Sequence, residues 1–172
     1  MNVSSEKILF RPAVNEDIPV VTSILRMAAD RMLAEGKKQW TESYPGESDV
    51  RADIGNNVGY VVELDGKVVA YGAVILDGEP AYSSIEGEWL SDQKYVVVHR
   101  LAVLGSSECR GLASYFMHEV EKLAAALGIK SFRVDTNFDN ERMLKCLEKN
   151  GFTYCGEVFY ERGSRKAFEK LI

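Results

Sequence analysis

Cysteine and histidine are scarce in this sequence, with 3 and 2 residues among 172. Cys109, Cys146 and Cys155 are odd in number and widely spaced, and with His99 and His118 they match neither a zinc-ligand spacing nor a disulfide framework. They read as reduced thiols, and no metal is expected. Four prolines and 14 glycines are too few for a collagen-like or low-complexity chain. Long apolar runs are missing too: residues 95–98 and 123–127 fall far short of the ~20 needed for a membrane-crossing helix, so no membrane partner is expected. The opening MNVSSEKILF has no basic segment followed by an apolar core, and a cytoplasmic protein is expected. Acid exceeds base by 26 to 21, for a net charge of −5. With that balance and no basic stripe carrying interleaved aromatics, nucleic acid is excluded as an expected partner.

What is present is the patterning of a globular chain. Residues 8–11 form a short extended segment ending at Pro12. Asn15 then offers a helix cap, followed by Glu16 and Asp17, which suit the positive end of a helix dipole. Ile18, Val21, Leu25, Ala28, Ala29 and Met32 recur at helical spacing, predicting an amphipathic helix that stops near Gly36. A second, short helix is expected over 49–56. The Val-rich runs 59–64 and 67–75 flank Asp65-Gly66, a strong signal for a hairpin of two antiparallel strands. A long loop over 77–92 carries Tyr82, Glu86, Glu88 and Trp89, and loops of this length in compact domains are often functional.

Residues 95–103 form a near-continuous apolar strand of the kind buried on both faces, interrupted by His99 and Arg100. After a turn over 104–110 come a helix over 112–127 stopped by Gly128, a strand over 129–136 and a helix over 140–150 stopped by Gly151. Strand, crossover helix and strand make a βαβ unit, which places these two strands parallel. Runs at 152–162 and 165–171 close the chain as a strand pair around Gly163-Ser164.

The turn Ser106-Ser107-Glu108-Cys109-Arg110-Gly111-Leu112-Ala113 lies between a buried strand and a long helix. Free backbone N–H groups at such a junction point along the positive end of the helix dipole and suit phosphate oxygens. Gly111 and Ala113 lack bulk, so an anion can approach closely, and Arg110 adds a guanidinium that can fork onto phosphate. The alternative is that these residues simply form a turn and a helix start. Neither Gly-x-x-x-x-Gly-Lys-Ser/Thr nor Gly-x-Gly-x-x-Gly occurs, which removes NTPase and dinucleotide-dehydrogenase readings.

In its order of elements and in three segments the chain resembles the GNAT superfamily, the Gcn5-related N-acetyltransferases, over residues 7–172 as a single domain. The segments are His99-Arg100-Leu101-Ala102-Val103, then Glu108-Cys109-Arg110-Gly111-Leu112-Ala113, then Asn140 with Leu147-Glu148-Lys149-Asn150-Gly151-Phe152. Gly111 and Ala113 match the family's Gln/Arg-x-x-Gly-x-Gly/Ala turn, while Glu108 stands where Gln or Arg is usual. Leu147 stands where the family often has a tyrosine acid. The resemblance implies an α+β (α/β) fold: a mixed, mostly antiparallel sheet of about six or seven strands, with a central parallel pair splayed for acyl-CoA and helices on both faces.

It also implies acetyl-CoA as co-substrate. The pantetheine would add like a strand to the backbone of Leu101, Ala102 and Val103. The pyrophosphate would lie on N–H groups from Cys109 and Arg110 through Gly111, Leu112 and Ala113 to Ser114. Asn140 would flank the thioester, and Lys145 or Lys149 is a candidate for the 3′-phosphate. For catalysis, His99 is the candidate base because its ordinary pKa lies near working pH. Tyr154 or Tyr160 substitutes for the missing acid, or water protonates the thiolate. Trp40, Tyr44, Tyr82 and Glu86 are expected to wall an acceptor pocket. Acetyl transfer to a primary amine, on a small molecule or a peptide, is the expected function; a non-catalytic acyl-CoA-binding module is the alternative, and a homodimer is compatible with the fold.

Overall fold

A computed structural model describes residues 7–105 and 111–172. One mixed sheet of eight strands runs through it, in the order β1-β2-β3-β5-β6-β8-β7-β4. The strands are β1 (Ile8–Pro12), β2 (Gly59–Leu64), β3 (Lys67–Ile75), β4 (Glu86–Gly87), β5 (Val96–Val103), β6 (Ser131–Thr136), β7 (Thr153–Tyr160) and β8 (Gly163–Leu171). Four α-helices, α1 (Ile18–Ala34), α2 (Glu47–Gly55), α3 (Leu112–Ala126) and α4 (Glu141–Lys149), accompany it. The sequence predicts six or seven strands, and the eighth is the two-residue β4. It forms inside the loop expected over 77–92, where Glu86 and Gly87 pair with Glu157 and Gly156 of β7. That close approach needs glycine on both strands, because a Cβ on Gly87 would sit 2.1 Å from the Cys155 carbonyl oxygen.

The hairpin at Asp65-Gly66 and the parallel pair β5–β6 form as the patterning dictates. All other pairings are antiparallel. The helices divide the core between the two faces of the sheet. On one, Phe116, Met117, Val120 and Ala124 of α3 pack with Leu147 of α4 against Val96, Val98, Phe132 and Val134. Val21, Leu25, Ala28 and Ala29 of α1 pack with Trp40, Val50 and Tyr71. A smaller cluster of Tyr82, Val97, Val158 and Ala167 lies under the long loop. Leu147 is fully buried, so the position at which the family often carries a tyrosine serves packing here.

Charged groups that enter this core come in pairs. Glu169, with no exposed surface, accepts from Arg133 Nε at 2.6 Å and Ser131 Oγ at 2.7 Å, while the Arg133 guanidinium lies 4.2 Å from the Trp89 ring centre and 4.1 Å from that of Tyr95. At the opposite sheet edge Arg11 forks onto Asp17, at 2.7 and 2.9 Å, and also reaches Glu63. The hydrogen bonds from Arg11 hold the Asp17 carboxyl below its usual pKa. A carboxyl depressed in the folded state stabilises the fold above its unfolded pKa and loses that contribution as pH falls through the folded value. We therefore expect urea-unfolding free energy to fall as pH drops below about 4, with a shallower drop in Arg11→Met; equal slopes in the two proteins would contradict the pairing.

Candidate active site

The parallel pair comes apart almost as soon as it forms. Only Val96↔Phe132 and Val97↔Arg133 are in register, and from Val98 onward β5 pairs with β3 alone. The departure coincides with a bulge in β5. Ala73 faces His99 and Tyr71 faces Ala102, so Arg100 and Leu101 together oppose the single residue Gly72. Arg100 takes the left-handed conformation, with φ of 54°, which is costly for a side-chain-bearing residue. Gly72 permits the tight packing opposite, since a Cβ there would come within 2.6 Å of the Phe116 ring.

The Arg100 side chain explains why the bulge holds. Its guanidinium donates to both carboxylate oxygens of Asp53 on α2, at 2.9 and 2.6 Å, and to the Tyr44 hydroxyl at 3.3 Å. Asp53 also accepts from the Tyr71 hydroxyl at 2.5 Å. Burial alone would pull the Arg100 pKa down, but the bonds to Asp53 outweigh it and leave the guanidinium more firmly protonated than usual. Burial, reinforced by the Asp53 charge, pushes the Tyr71 hydroxyl up.

Two cavities occupy the gap between the diverging strands. The larger, about 470 Å³, is lined by His99, Glu79, Asp135, Tyr160, Trp40 and Tyr44 among others. The smaller, about 230 Å³, is lined by Leu101, Val103, Gly111, Ala113, Arg31 and Arg142 among others. Both share Met32, Leu101, Asn140 and Met143, so they meet end to end.

In the larger cavity His99 Nε2 lies 3.2 Å from Glu79 Oε2. The hydrogen bond from His99 holds the Glu79 carboxyl below its usual range, and an acceptor there favours the tautomer with its proton on Nε2. Nδ1 then carries the free lone pair. Opposite, Asp135 Oδ2 accepts from the Tyr82 and Tyr160 hydroxyls, each at 2.7 Å. Burial, with the Asp135 charge second, pushes both phenols well above their ordinary value and keeps them as donors. Gln39 closes one side: its Oε1 accepts from Thr136 Oγ1, Asn137 N and Asn140 Nδ2.

In the smaller cavity Gly111, with φ of 82°, precedes the first turn of α3. Among the described residues no atom lies within 4 Å of where its Cβ would be. Arg31 of α1 lines the same cavity, its Nη1 2.7 Å from the Cβ position of Gly105. Burial and the nearby Arg142 charge lower the Arg31 pKa against the opposing pull of Glu35, whose carboxylate accepts from Arg142 at 3.1 Å.

The GNAT acetyltransferase family's sequence model matches residues 25–152. The chain belongs to this family. An acetyltransferase of the GNAT family from Streptococcus agalactiae is 32% identical over 96% of this chain and 95% of its own, with a TM-score of 0.86. At lower identity, where likeness speaks for the fold alone, are yncA from Salmonella typhimurium, solved with its cofactor acetyl-CoA, and the aminoglycoside acetyltransferase AAC(6′)-Ib, solved with coenzyme A. The first is 14% identical over 95% of this chain and 93% of its own (TM-score 0.67), the second 19% over 96% and 95% (TM-score 0.69). A search of curated proteins returns no match. Among the described residues no group of three or more His, Cys, Asp or Glu could hold a metal, and no helix is long and apolar enough to cross a membrane.

Set on the GNAT fold, the residues singled out by sequence separate into groups. His99, Tyr160, Trp40 and Tyr44 line the larger cavity; Ala102, Val103, Gly111 and Ala113 line the smaller; Leu101 and Asn140 line both. Leu112 and Ser114 follow in the first turn of α3. Cys109, Arg110 and Glu108 lie outside the described residues. Tyr154 is exposed on β7, edge-on to Phe168, and lines neither cavity. Glu86 is held at the sheet margin by pairing with Glu157. Tyr82, expected as an exposed pocket wall, is buried at 1% exposure, because the loop's 3-10 turn Pro80–Ser84 folds it onto Val97, Val158 and Ala167, beneath Asp135. Lys145 and Lys149 line neither cavity, and Arg31, Lys37 and Arg142 are the cations of the smaller one.

Glu79, Asp53, Arg100, Gln39 and Asp135 escaped the sequence reading. Only Arg100, a charge inside an apolar strand, gave a signal. If the Asp53–Arg100 pair holds the bulge, Asp53→Ala leaves a buried guanidinium without a counter-charge and costs about 3–5 kcal/mol by urea denaturation. The double variant Asp53→Leu, Arg100→Met should recover much of that loss; a single-variant cost near zero would remove the pair from its structural role.

Proposed function

We propose that this enzyme transfers an acetyl group from acetyl-CoA to a primary amine by direct attack in a ternary complex. The observation that carries the reading is the pair of cavities joined where β5 and β6 part: one fits a cofactor arm, the other an acceptor. The β6-facing edge of β5 beyond Val97 has no strand partner among the described residues and can accept the pantetheine amides as an added strand. The helix start at Gly111 and the cationic excess of Arg31, Lys37 and Arg142 over the one lining carboxylate, Glu35, suit the pyrophosphate and 3′-phosphate. The solved complexes of the same fold with acetyl-CoA and with coenzyme A support this choice of co-substrate.

The chemistry needs three groups. His99 Nδ1 takes a proton from the acceptor amine as its nitrogen attacks the thioester carbon, while Glu79 holds the ring and stabilises the imidazolium that forms. The carbonyl oxygen gains charge and is met by backbone N–H groups between Leu101 and Val103. The carbon–sulfur bond then breaks, and the thiolate must be protonated. Tyr160 is poorly suited to that, because its hydroxyl is committed to Asp135 and its acidity is suppressed by burial. Water is the better proton source.

Two tests bear on the reading. Gly111→Val places a branched side chain at a left-handed position at the helix start, and calorimetry below the melting transition should show coenzyme A affinity reduced more than about tenfold, with the melting temperature lowered by a few degrees by the backbone strain; unaltered affinity would remove the turn from the cofactor site. His99→Gln should lower kcat about 10²-fold or more in thiol-release assays while coenzyme A still binds. If coenzyme A binds the wild-type protein and no amine yields thiol, the protein is the non-catalytic binding module instead.

A further inference from the structure

The larger cavity carries charge of both signs: Asp135 and Glu79 line it from the sheet and the long loop, and Arg162 and Arg165, with Glu161 beside them, from the β7–β8 hairpin. We propose that the acceptor is a small amine that also bears a carboxylate, a free α-amino acid or a compound of that type. This deepens the acetyl-transfer reading and rests on it.

The anionic end is Asp135. Its Oδ2 is taken by Tyr82 and Tyr160, whereas Oδ1 has no partner among the described residues and is not among the buried atoms that lack one, so it is open to the cavity. Both bonds come from neutral hydroxyls, so the carboxylate keeps its charge for a ligand. With His99 lining the same cavity, it can orient an incoming ammonium before the proton is removed.

The cationic end is the β7–β8 hairpin. Arg162 and Arg165 both line the cavity, and neither forms an ion pair with a described carboxylate. Arg162 is held over the Tyr44 ring at 4.4 Å, and half-buried Arg165 donates only to the Ser164 carbonyl. Glu161 lines the same rim, exposed and unpaired with either arginine. These two guanidinia do not serve the cofactor. The smaller cavity has its own cations in Arg31 and Arg142, and the residues shared between cavities are uncharged. A plain monoamine would leave both arginines without an anion, and a diamine would set a second cation against them. An acceptor with an ammonium and a carboxylate satisfies both ends, and about 470 Å³ suits a molecule of that size.

The test compares free amino acids, spanning aromatic, aliphatic, acidic and basic side chains, with the amines that lack only the carboxylate, in thiol-release assays and by calorimetry on the protein with and without coenzyme A. At least one amino acid should exceed its decarboxylated partner about tenfold or more in kcat/KM, chiefly through KM. In the double variant Arg162→Gln, Arg165→Gln that ratio should collapse by loss on the acid. Amines equal to or better than their acids throughout, or equal losses on acid and amine in the variant, would overturn the proposal. If no acceptor turns over, tighter binding of an acid than of its amine upholds it and no acid binding overturns it. Failure of the underlying reading shows separately, as no heat with coenzyme A, and the acid-against-amine comparison without coenzyme A then decides.

Discussion

One buried ion pair fixes the geometry on which everything else depends. Arg100 is the extra residue of a bulge in the central strand and sits in a left-handed conformation that costs on the order of 1–2 kcal/mol. Asp53, reaching across from α2, takes its guanidinium in a two-point grip and is itself held by Tyr71. The pair ties the short helix α2 to β5 and fixes where β5 stops running straight. β6 has already left β5 two residues earlier, after Val97, and the gap between them becomes two joined cavities. A slot through a sheet is otherwise an unpaired strand edge, which invites association with any other strand. Here α3 and α4 on one face and α1 with its following loop on the other close it except at the cavity mouths.

The distribution of charge follows from the same division. A net charge of −5 repels polyanions in general, yet the smaller cavity is lined by Arg31, Lys37 and Arg142 against one carboxylate, Glu35. That excess of cations is a local attraction for phosphate that the total charge does not reveal. The larger cavity instead carries both signs, with Asp135 and Glu79 within and Arg162 and Arg165 on the hairpin. Uniform charge would favour one class of acceptor by steering alone; separated charges select by orientation.

The sequence exposes those features that follow from local pattern. Alternation, helical spacing and the Asp65-Gly66 turn yield nearly every element, and the βαβ order yields the single parallel pair. The junction at Gly111 is legible because a helix start with small residues is a local feature. What stays hidden is contact between residues distant in the chain. Asp53 and Arg100 are 47 residues apart and Tyr82 and Asp135 are 53 apart, and no periodicity predicts that they meet. β4 is invisible because two residues carry no alternation, and it exists only because Gly87 and Gly156 allow two backbones to touch. Tyr82 was misjudged for a related reason: a polar loop predicts exposure, but its 3-10 turn folds back over an apolar patch of the sheet.

The carboxylates of the interior make the functional distinction sharpest. Asp53 is neutralised by Arg100, Glu169 by Arg133 and Asp17 by Arg11, each through hydrogen-bonded contact. An arginine partner compensates the buried charge and spends it, so such pairs stabilise a shape and attract nothing further. Asp135 is treated differently. Two phenols, both held protonated by burial and by the carboxylate itself, fix its orientation without cancelling its charge. No described cation pairs with it. Keeping an uncompensated carboxylate half-buried is unfavourable in a resting protein. The arrangement becomes favourable when a cation from outside arrives, which places Asp135 with the ligand and the other three with the scaffold.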